Sequence, residues 1–258
     1  MNTAQPAGEI RIVLVGTQHP GNIGSAARAI RTMGLDHLVL VAPERFPHAD
    51  AVMMAAGADD ILGAARVVDS LADAVADCAL VLGCTARSRR VQLEELSPRA
   101  GAARLLDAAV PGAPVALGFG RERTGLENDE LQLCHAAIHI PANPDYSSLN
   151  LAAAVQVLAY ELRIGALERA SLPTGGGDGH REPPASHAQM EGFFAQLGET
   201  LDAIDFHKGR APESALRKLR RIFLRSSLDE REVRLLRGVL ADAQRMARLA
   251  GAAGGGEA

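Results

Sequence analysis

Residues 138–161 read IHIPANPDYSSLNLAAAVQVLAYE, and in them a strand, a polar loop bounded by prolines and a long apolar helix come one after another without a gap. Ile138 and Ile140 alternate with Ala137 and His139 as strand residues do, and Pro141 and Pro144 then rule out both ladder bonding and helix. Ser147 or Ser148 is placed to cap the next helix. From Leu151 onward, Val155, Leu158, Ala159 and Leu162 recur at helical spacing. The pattern predicts a buried helix opening at the serines, with its free amides turned to the loop. Taken alone, the junction reads equally as a capped helix after a turn and as one wall of a polar-ligand site.

Working outward, the same alternation fills the first two-thirds of the chain. Residues 10–15 are a continuous apolar strand apart from Arg11, running into the glycine-bearing stretch 16–24, after which Ile23, Ala26, Ala27, Ile30 and Met33 form one helical face. Arg28 and Arg31 leave by another face. Strands are expected at 38–41, 79–82 and 115–119, and helices at 49–56, 71–76 and from Ser97-Pro98 to about 109, where serine then proline is a favoured helix start. Such alternation predicts an α/β domain with a mostly parallel sheet. In open sheets of this class ligands gather beyond the carboxyl ends of the strands. Four loops there, including 83–90 with its three arginines and 118–125, carry the glycines, arginines and serines of this chain, which makes one shared site the economical inference.

After residue 168 the glycine- and proline-rich stretch 169–189 has no apolar periodicity and is expected to be a flexible linker. Residues 190–250 regain helical periodicity in three runs: Phe193, Phe194, Leu197 and Leu201; then Leu216, Leu219, Ile222 and Phe223; then Val233, Leu236, Val239 and Leu240. A small three-helix extension is expected, with a disordered tail after it over 251–258. The formal net charge of -4 conceals an uneven distribution. Residues 1–170 hold 14 Lys and Arg against 19 Asp and Glu, whereas residues 190–250 hold 12 against 9. Nearly every cation is an arginine, able to grip phosphate through two parallel hydrogen bonds. The middle helix, with Arg217, Lys218, Arg220, Arg221 and Arg225, is either a solvated face or a phosphate-contacting surface.

Composition excludes several classes of protein. No apolar run is long enough to cross a bilayer, and the first residues lack the basic start and apolar core of a signal peptide, so the cytoplasm is the expected compartment. The three cysteines, Cys78, Cys84 and Cys134, lie in or beside apolar stretches without zinc or redox spacing, and the histidines show no ligand spacing. No metal is expected. The first loop, with Glu44 about twenty residues beyond it, invites a dinucleotide-binding reading, but neither Gly16, Gly21 and Gly24 nor Gly118, Gly120 and Gly125 are spaced as that fingerprint requires. A nicotinamide oxidoreductase is therefore a distant alternative.

Three segments considered together narrow the reading: Thr17-x-x-Pro-Gly-Asn-Ile-Gly-Ser-x-x-Arg28, Leu117-Gly-Phe-Gly-Arg-Glu-Arg-Thr-Gly-Leu126 and Ile140-Pro-x-x-Pro-x-Tyr-Ser-Ser-Leu-Asn150. In order, spacing and residues they resemble the SPOUT class of methyltransferases, in its TrmH-like branch, and within it the tRNA cytidine/uridine 2'-O-methyltransferases. The resemblance covers the first domain, 1–168, and more loosely the helical extension. It implies a trefoil-knotted domain, an exception to the rule that chains do not thread their own loops. It also implies a homodimer and transfer of a methyl group from S-adenosylmethionine to a ribose of tRNA, at position 32 (C or U) of the anticodon loop. Carried over residue by residue, it assigns cofactor binding to Cys84, Thr85, Ala86, Gly120, Ile140, Ser147, Ser148 and Leu149, with Cys84 standing where Thr or Ser is more usual. It places Asn22, Arg28, Glu122, Ser148 and Asn150 at the reacting centre, with Asn22 expected to hold Arg28, and Arg121 is expected on the RNA; the excess of basic charge over 190–250 leads to the same expectation for Arg217, Lys218, Arg220, Arg221 and Arg225. A catalytically silent RNA-binding protein on the same scaffold is the alternative of another class.

Overall fold

The structure, a computed structural model, describes residues 6–86, 93–171, 183–208 and 212–254. The chain forms two compact units, 1–178 and 179–258. In the first, seven strands form one parallel sheet: β1 (Ile10–Val15), β2 (His37–Val41), β3 (Arg66–Val68), β4 (Leu80–Cys84), β5 (Glu94–Leu96), β6 (Val115–Phe119) and β7 (Ala136–Ile138), in the order β3-β2-β1-β6-β4-β7-β5. Every pairing is parallel, so every strand ends at the same edge. The central strands are apolar on both faces because both are covered. Ile12, Leu14 and Leu117 face one core with Ile23 and Ile30 of α1 (Pro20–Thr32), Leu105 of α5 (Pro98–Ala108) and Val155 and Leu158 of α7 (Leu151–Ser171). Val13, Val15 and Val81 face another with α4 (Leu71–Val75) and Leu131 of α6 (Asn128–Gln132).

Several expectations shift in detail. The first helix begins at Pro20, so Gly21 and Gly24 lie inside it rather than in a ligand loop. Proline at the first turn lacks only an amide that the helix leaves unbonded anyway. Gly24 is required by packing: a Cβ there would lie 2.0 Å from the carbonyl oxygen of Ala51 on α2 (Ala49–Ala55). Strand β7 stops at Ile138, which leaves Ile140 outside the ladder. The long helix opens one turn later than the serines, because Asn150 caps it: its Oδ1 accepts from the amides of Ala152 at 2.9 Å and Ala153 at 3.4 Å. Strand β5, α3 (Asp59–Gly63) and α6 are too short to announce themselves by periodicity.

The second unit packs α8 (His187–Ala203), α9 (Pro212–Arg225) and α10 (Glu230–Gly254) around Met190, Phe193, Leu197, Leu201, Leu224 and Val233. Phe193 meets Phe223 edge-on, with ring centroids 4.8 Å apart. Ile222 and Val239, expected on the buried faces, are instead more than half exposed. Helix α10 continues to Gly254, past the expected start of a tail at 251, and α8 starts at His187, capped by Ser186, rather than at 190. The central part of the expected linker, 172–182, the arginines at 87–90 and the last residues, 255–258, lie outside the described residues.

Candidate active site

At the edge where the strands end, a cleft of about 500 Å³ opens between the ends of β4 and β6, the segment after β7 and the start of α7. Its volume falls within the roughly 300–1,000 Å³ typical of small-molecule sites. Cys84, Thr85 and Ala86 line one side; Ile140, Ser147, Ser148 and Leu149 line another; Phe119, Gly120 and Leu151 form its apolar depth. All eight residues assigned to cofactor binding therefore share one cavity, although they come from three separated segments. Burial pushes the Cys84 thiol up to about 12, so it stays protonated and acts as a small apolar wall. Hydroxyls come from Thr85, Ser147, Ser148 and Thr124. The wall is held by backbone bonds: the Thr85 amide donates to the Ile138 carbonyl at 3.0 Å, and the His139 amide to that of Leu96 at 3.0 Å.

The loop after β6 closes on itself. Arg121 and Gly125 exchange backbone hydrogen bonds, 3.2 Å from the Arg121 amide and 2.8 Å from the Gly125 amide, and Gly125 holds a left-handed φ of 70°. Residues 122–124 are thus the tip of a tight turn, and each side chain leaves differently. Arg121 donates to Glu130 at 3.0 Å and lies against Gly16, where a Cβ would come 2.7 Å from its Nε. Although expected on RNA, this guanidinium is engaged in bracing the loop. Glu122 accepts from the amides of Gln18 at 3.0 Å and His19 at 3.1 Å and from Asn22 Nδ2 at 2.9 Å. Arg123 is exposed at the cleft lip.

These bonds continue into a chain. Asn150 Nδ2 donates to Asn22 Oδ1 at 3.0 Å, while Asn150 Oδ1 caps α7 and Asn22 Nδ2 reaches Glu122. One side chain from each of the three motif segments is thereby linked, and the start of α7 is tied to the tip of the loop. Asn22 does not hold Arg28: the two are six positions apart on α1, about 120° around the helix, and Arg28 is exposed with no side-chain hydrogen bond or ion pair to a described residue. Arg28 also stands outside the cleft lining. Asn150→Ala should cost α7 its cap, about 1 kcal/mol, and lower the melting temperature by about 2–4 °C. Asn150→Asp keeps the cap while losing the donor to Asn22. Thermal melts of the two variants separate the cap from the link, and equal melting points would show that the cap contributes nothing.

Burial alone would raise the Glu122 carboxyl, but the Gln18 amide, Asn22 and the His19 amide together outweigh it and hold the group below its ordinary value of 4.5. Glu122 is therefore an ionised acceptor with its lone pairs occupied, a brace rather than a proton carrier. Because its folded value lies below the unfolded one, its contribution to stability is present at neutral pH and is lost as pH falls through the depressed value. Glu122→Gln should melt lower than the parent at pH 7, and the gap should narrow below pH 4.5. A gap of constant size down to pH 3.5 would contradict the ionised state.

In the second unit Arg217, Lys218 and Arg225 are exposed on α9. Arg220 is paired with both carboxylate oxygens of Glu191 and lies 4.6 Å from the Phe194 ring centre, while Arg221 is half-buried. Among the described residues no group of three or more His, Cys, Asp or Glu side chains could hold a metal ion. Among them, too, no helix is long and apolar enough to cross a membrane. Phe119, Arg123, Thr124, Leu151 and Ala154 line the cleft without having been singled out in the sequence. For Arg123 and Thr124 the signal was present, since both lie inside the second motif.

A parallel sheet with a cleft beyond its strand ends, joined to a polar chain drawn from all three motifs, defines a ligand-binding α/β domain. Residues 9–160 match the SpoU rRNA methylase family, and residues 188–252 match the C-terminal domain of tRNA methyltransferase TrmJ. The tRNA (cytidine/uridine/adenosine-2'-O-)-methyltransferase TrmJ of Pseudomonas aeruginosa strain UCBPP-PA14 is 47% identical over 249 residues, covering 93% of this chain and 95% of the relative. The tRNA (cytidine/uridine-2'-O-)-methyltransferase TrmJ of Salmonella typhimurium strain LT2 is 48% identical over 234 residues, 90% of this chain and 95% of its own length. The crystal structure of TrmJ from Z. mobilis ZM4 superposes with a TM-score of 0.74 at 38% identity, covering 90% of this chain and 97% of that one. The chain belongs to the SpoU methylase family, in its TrmJ branch.

Proposed function

We propose that this protein is a cytoplasmic, homodimeric enzyme that methylates a ribose 2'-hydroxyl of tRNA, at the cytidine or uridine of position 32, using S-adenosylmethionine. The observation that carries this reading is the assembly of Cys84–Ala86, Gly120, Ile140 and Ser147–Leu149 into one cleft, next to the Glu122–Asn22–Asn150 chain. The family and the substrates for which its relatives are named support the same reading. The knotted threading expected of the class belongs to it too.

The residues present suit such a methyl donor: Phe119, Ile140, Leu149 and Leu151 offer apolar surface for a flat base, and the serines and threonines offer bonds to sugar and amino-acid groups. When bound, the donor would supply an electrophilic methyl group to the ribose 2'-oxygen, the methyl–sulfur bond breaking to leave a neutral thioether while the hydroxyl proton goes to solvent. Glu122, Asn22 and Asn150 hold the loop tip and the start of α7 in register so that the two sides of the cleft keep their spacing. The role of Arg28 is to donate to the 2'-oxygen as negative charge develops there. Arg28 is exposed and does not line the cleft of its own subunit, and in the proposed homodimer the second subunit completes the surface on which it acts.

The test is transfer of labelled methyl from S-adenosylmethionine to tRNA transcripts, with the product mapped as a 2'-O-methyl ribose. Cofactor and RNA binding without transfer would favour the silent RNA-binding protein. Binding of NAD in place of S-adenosylmethionine would favour the oxidoreductase. For the extension, replacing Arg217, Lys218 and Arg225 together with alanine should weaken tRNA binding alike for all sequences and flatten its salt dependence. Arg220 is left intact in that variant because its pair with Glu191 holds α9 to α8. Unchanged affinity across salt would remove α9 from the RNA interface.

A further inference from the structure

The two arginines of the 121–125 turn have opposite fates. Arg121 is neutralised: Glu130 binds it at 3.0 Å, and a second carboxylate, Glu127, stands 3.6 Å away. Arg123, two positions on, is exposed, lines the cleft and makes no side-chain hydrogen bond or ion pair with a described residue. Among the described residues the only carboxylate in the cleft lining, Glu122, is already occupied by three donors from the segment 18–22. The Arg123 guanidinium at the lip of the cleft is therefore left without a side-chain partner among the described residues, while Glu122 beside it keeps its charge because its donors are neutral. The guanidinium sits on a rigid mount, because the backbone pair between Arg121 and Gly125, the Arg121–Glu130 ion pair and the Glu122 bonds fix the turn on both sides. Holding a long unpaired cation on a preorganised turn is useful where an anion must be met, since little ordering remains to be done on binding.

We propose that Arg123 binds a tRNA backbone phosphate adjoining the nucleotide being methylated, as a substrate-positioning contact of the site described above. The inference rests on the proposed methyltransferase reading. A phosphate suits this guanidinium better than a base edge, because an exposed arginine with its fork free can grip two phosphate oxygens at once. It suits the lip better than the floor: Phe119, Gly120 and Leu151 in the depth are buried, so a ligand seated there leaves the mouth for a second, polyanionic ligand. The contact would orient the ribose relative to the methyl donor rather than add to the affinity for the donor.

The experiment compares Arg123→Ala and Arg123→Lys with the parent in the full-length chain, measuring S-adenosylmethionine affinity by calorimetry and tRNA affinity and methyl-transfer kinetics across a salt series. Arg123→Ala should leave cofactor affinity within about twofold and raise the tRNA KM by about tenfold, the scale of one charge-assisted contact. It should reduce the slope of log affinity against log salt by about one. Arg123→Lys should restore the slope but only part of the affinity, since an ammonium cannot form the fork. Loss of cofactor affinity in Arg123→Ala would reassign the residue to the methyl donor, and unchanged tRNA binding and slope would leave it a solvated side chain; either overturns the proposal. If the parent itself transfers no methyl group to tRNA, the proposed function fails instead, which the parent assay shows separately.

Discussion

Arg28→Ala is expected to lower the rate of methyl transfer by about 10²–10³, the usual cost of deleting one donor that stabilises developing oxygen charge. It should leave S-adenosylmethionine affinity within about twofold. The asymmetry comes from position: Arg28 does not line the cleft that collects all the residues assigned to the cofactor, and its side chain has no partner among the described residues whose loss would disturb the fold. Arg28→Lys tests the role more sharply, because it retains the charge but loses the planar fork, and activity should recover only in part. Single-turnover transfer with saturating tRNA, set beside calorimetric cofactor binding, checks both. Full activity in Arg28→Ala would remove Arg28 from the reacting centre, and equal losses of binding and transfer would place it at the cofactor.

Gly120→Ala should abolish measurable cofactor binding while Gly118→Ala is tolerated, although the two glycines are neighbours in one motif. A Cβ on Gly120 would lie 2.0 Å from the carbonyl carbon of Gly125 and 2.0 Å from the amide nitrogen of Leu126, both backbone atoms of the returning turn. No rotamer change relieves such an overlap, so the turn must open, taking with it the lip residues 121–124. On Gly118 the nearest atom to an added Cβ is the Leu82 carbonyl oxygen at 3.8 Å, an ordinary contact. Calorimetric titration of both variants with S-adenosylmethionine, with circular dichroism to confirm folding, provides the measurement. Equal affinity in the two would show that the tight return at Gly125 does not shape the cofactor site.

Much of this protein was legible in its residues. The apolar runs at 10–15 and 115–119 are strands with those limits, and the parallel sheet was implied by their alternation with helices. Residue types and local spacing carry that information because strand and helix burial repeat over a few residues. Of the residues that the resemblance assigned to the cofactor, Gly120, Ile140, Ser147, Ser148 and Leu149 fall in the second and third motif segments and Cys84, Thr85 and Ala86 follow β4, and all eight line a single cleft. Partnership was not legible. The Asn22–Glu122 bond spans 100 positions and the Asn150–Asn22 bond 128, and no local pattern distinguishes these contacts from the expected pairing of Asn22 with Arg28.

The glycines and arginines show the same division. Gly24 and Gly120 stood in the sequence only as members of the motif segments, and packing shows that Gly24 admits the backbone of α2 and Gly120 its own returning turn. Arg121 and Arg123 are chemically identical two positions apart, and the sequence reading placed Arg121, not Arg123, on the RNA. Glu130 takes up the first and leaves the second at the lip of the cleft. What the chain determined alone was which segments are apolar, where they break and which polar residues fall at the breaks. Which of those polar groups neutralise one another and which remain available to a ligand depended on distances between segments far apart in the chain, and those are set only when the sheet and its helices close around a common core.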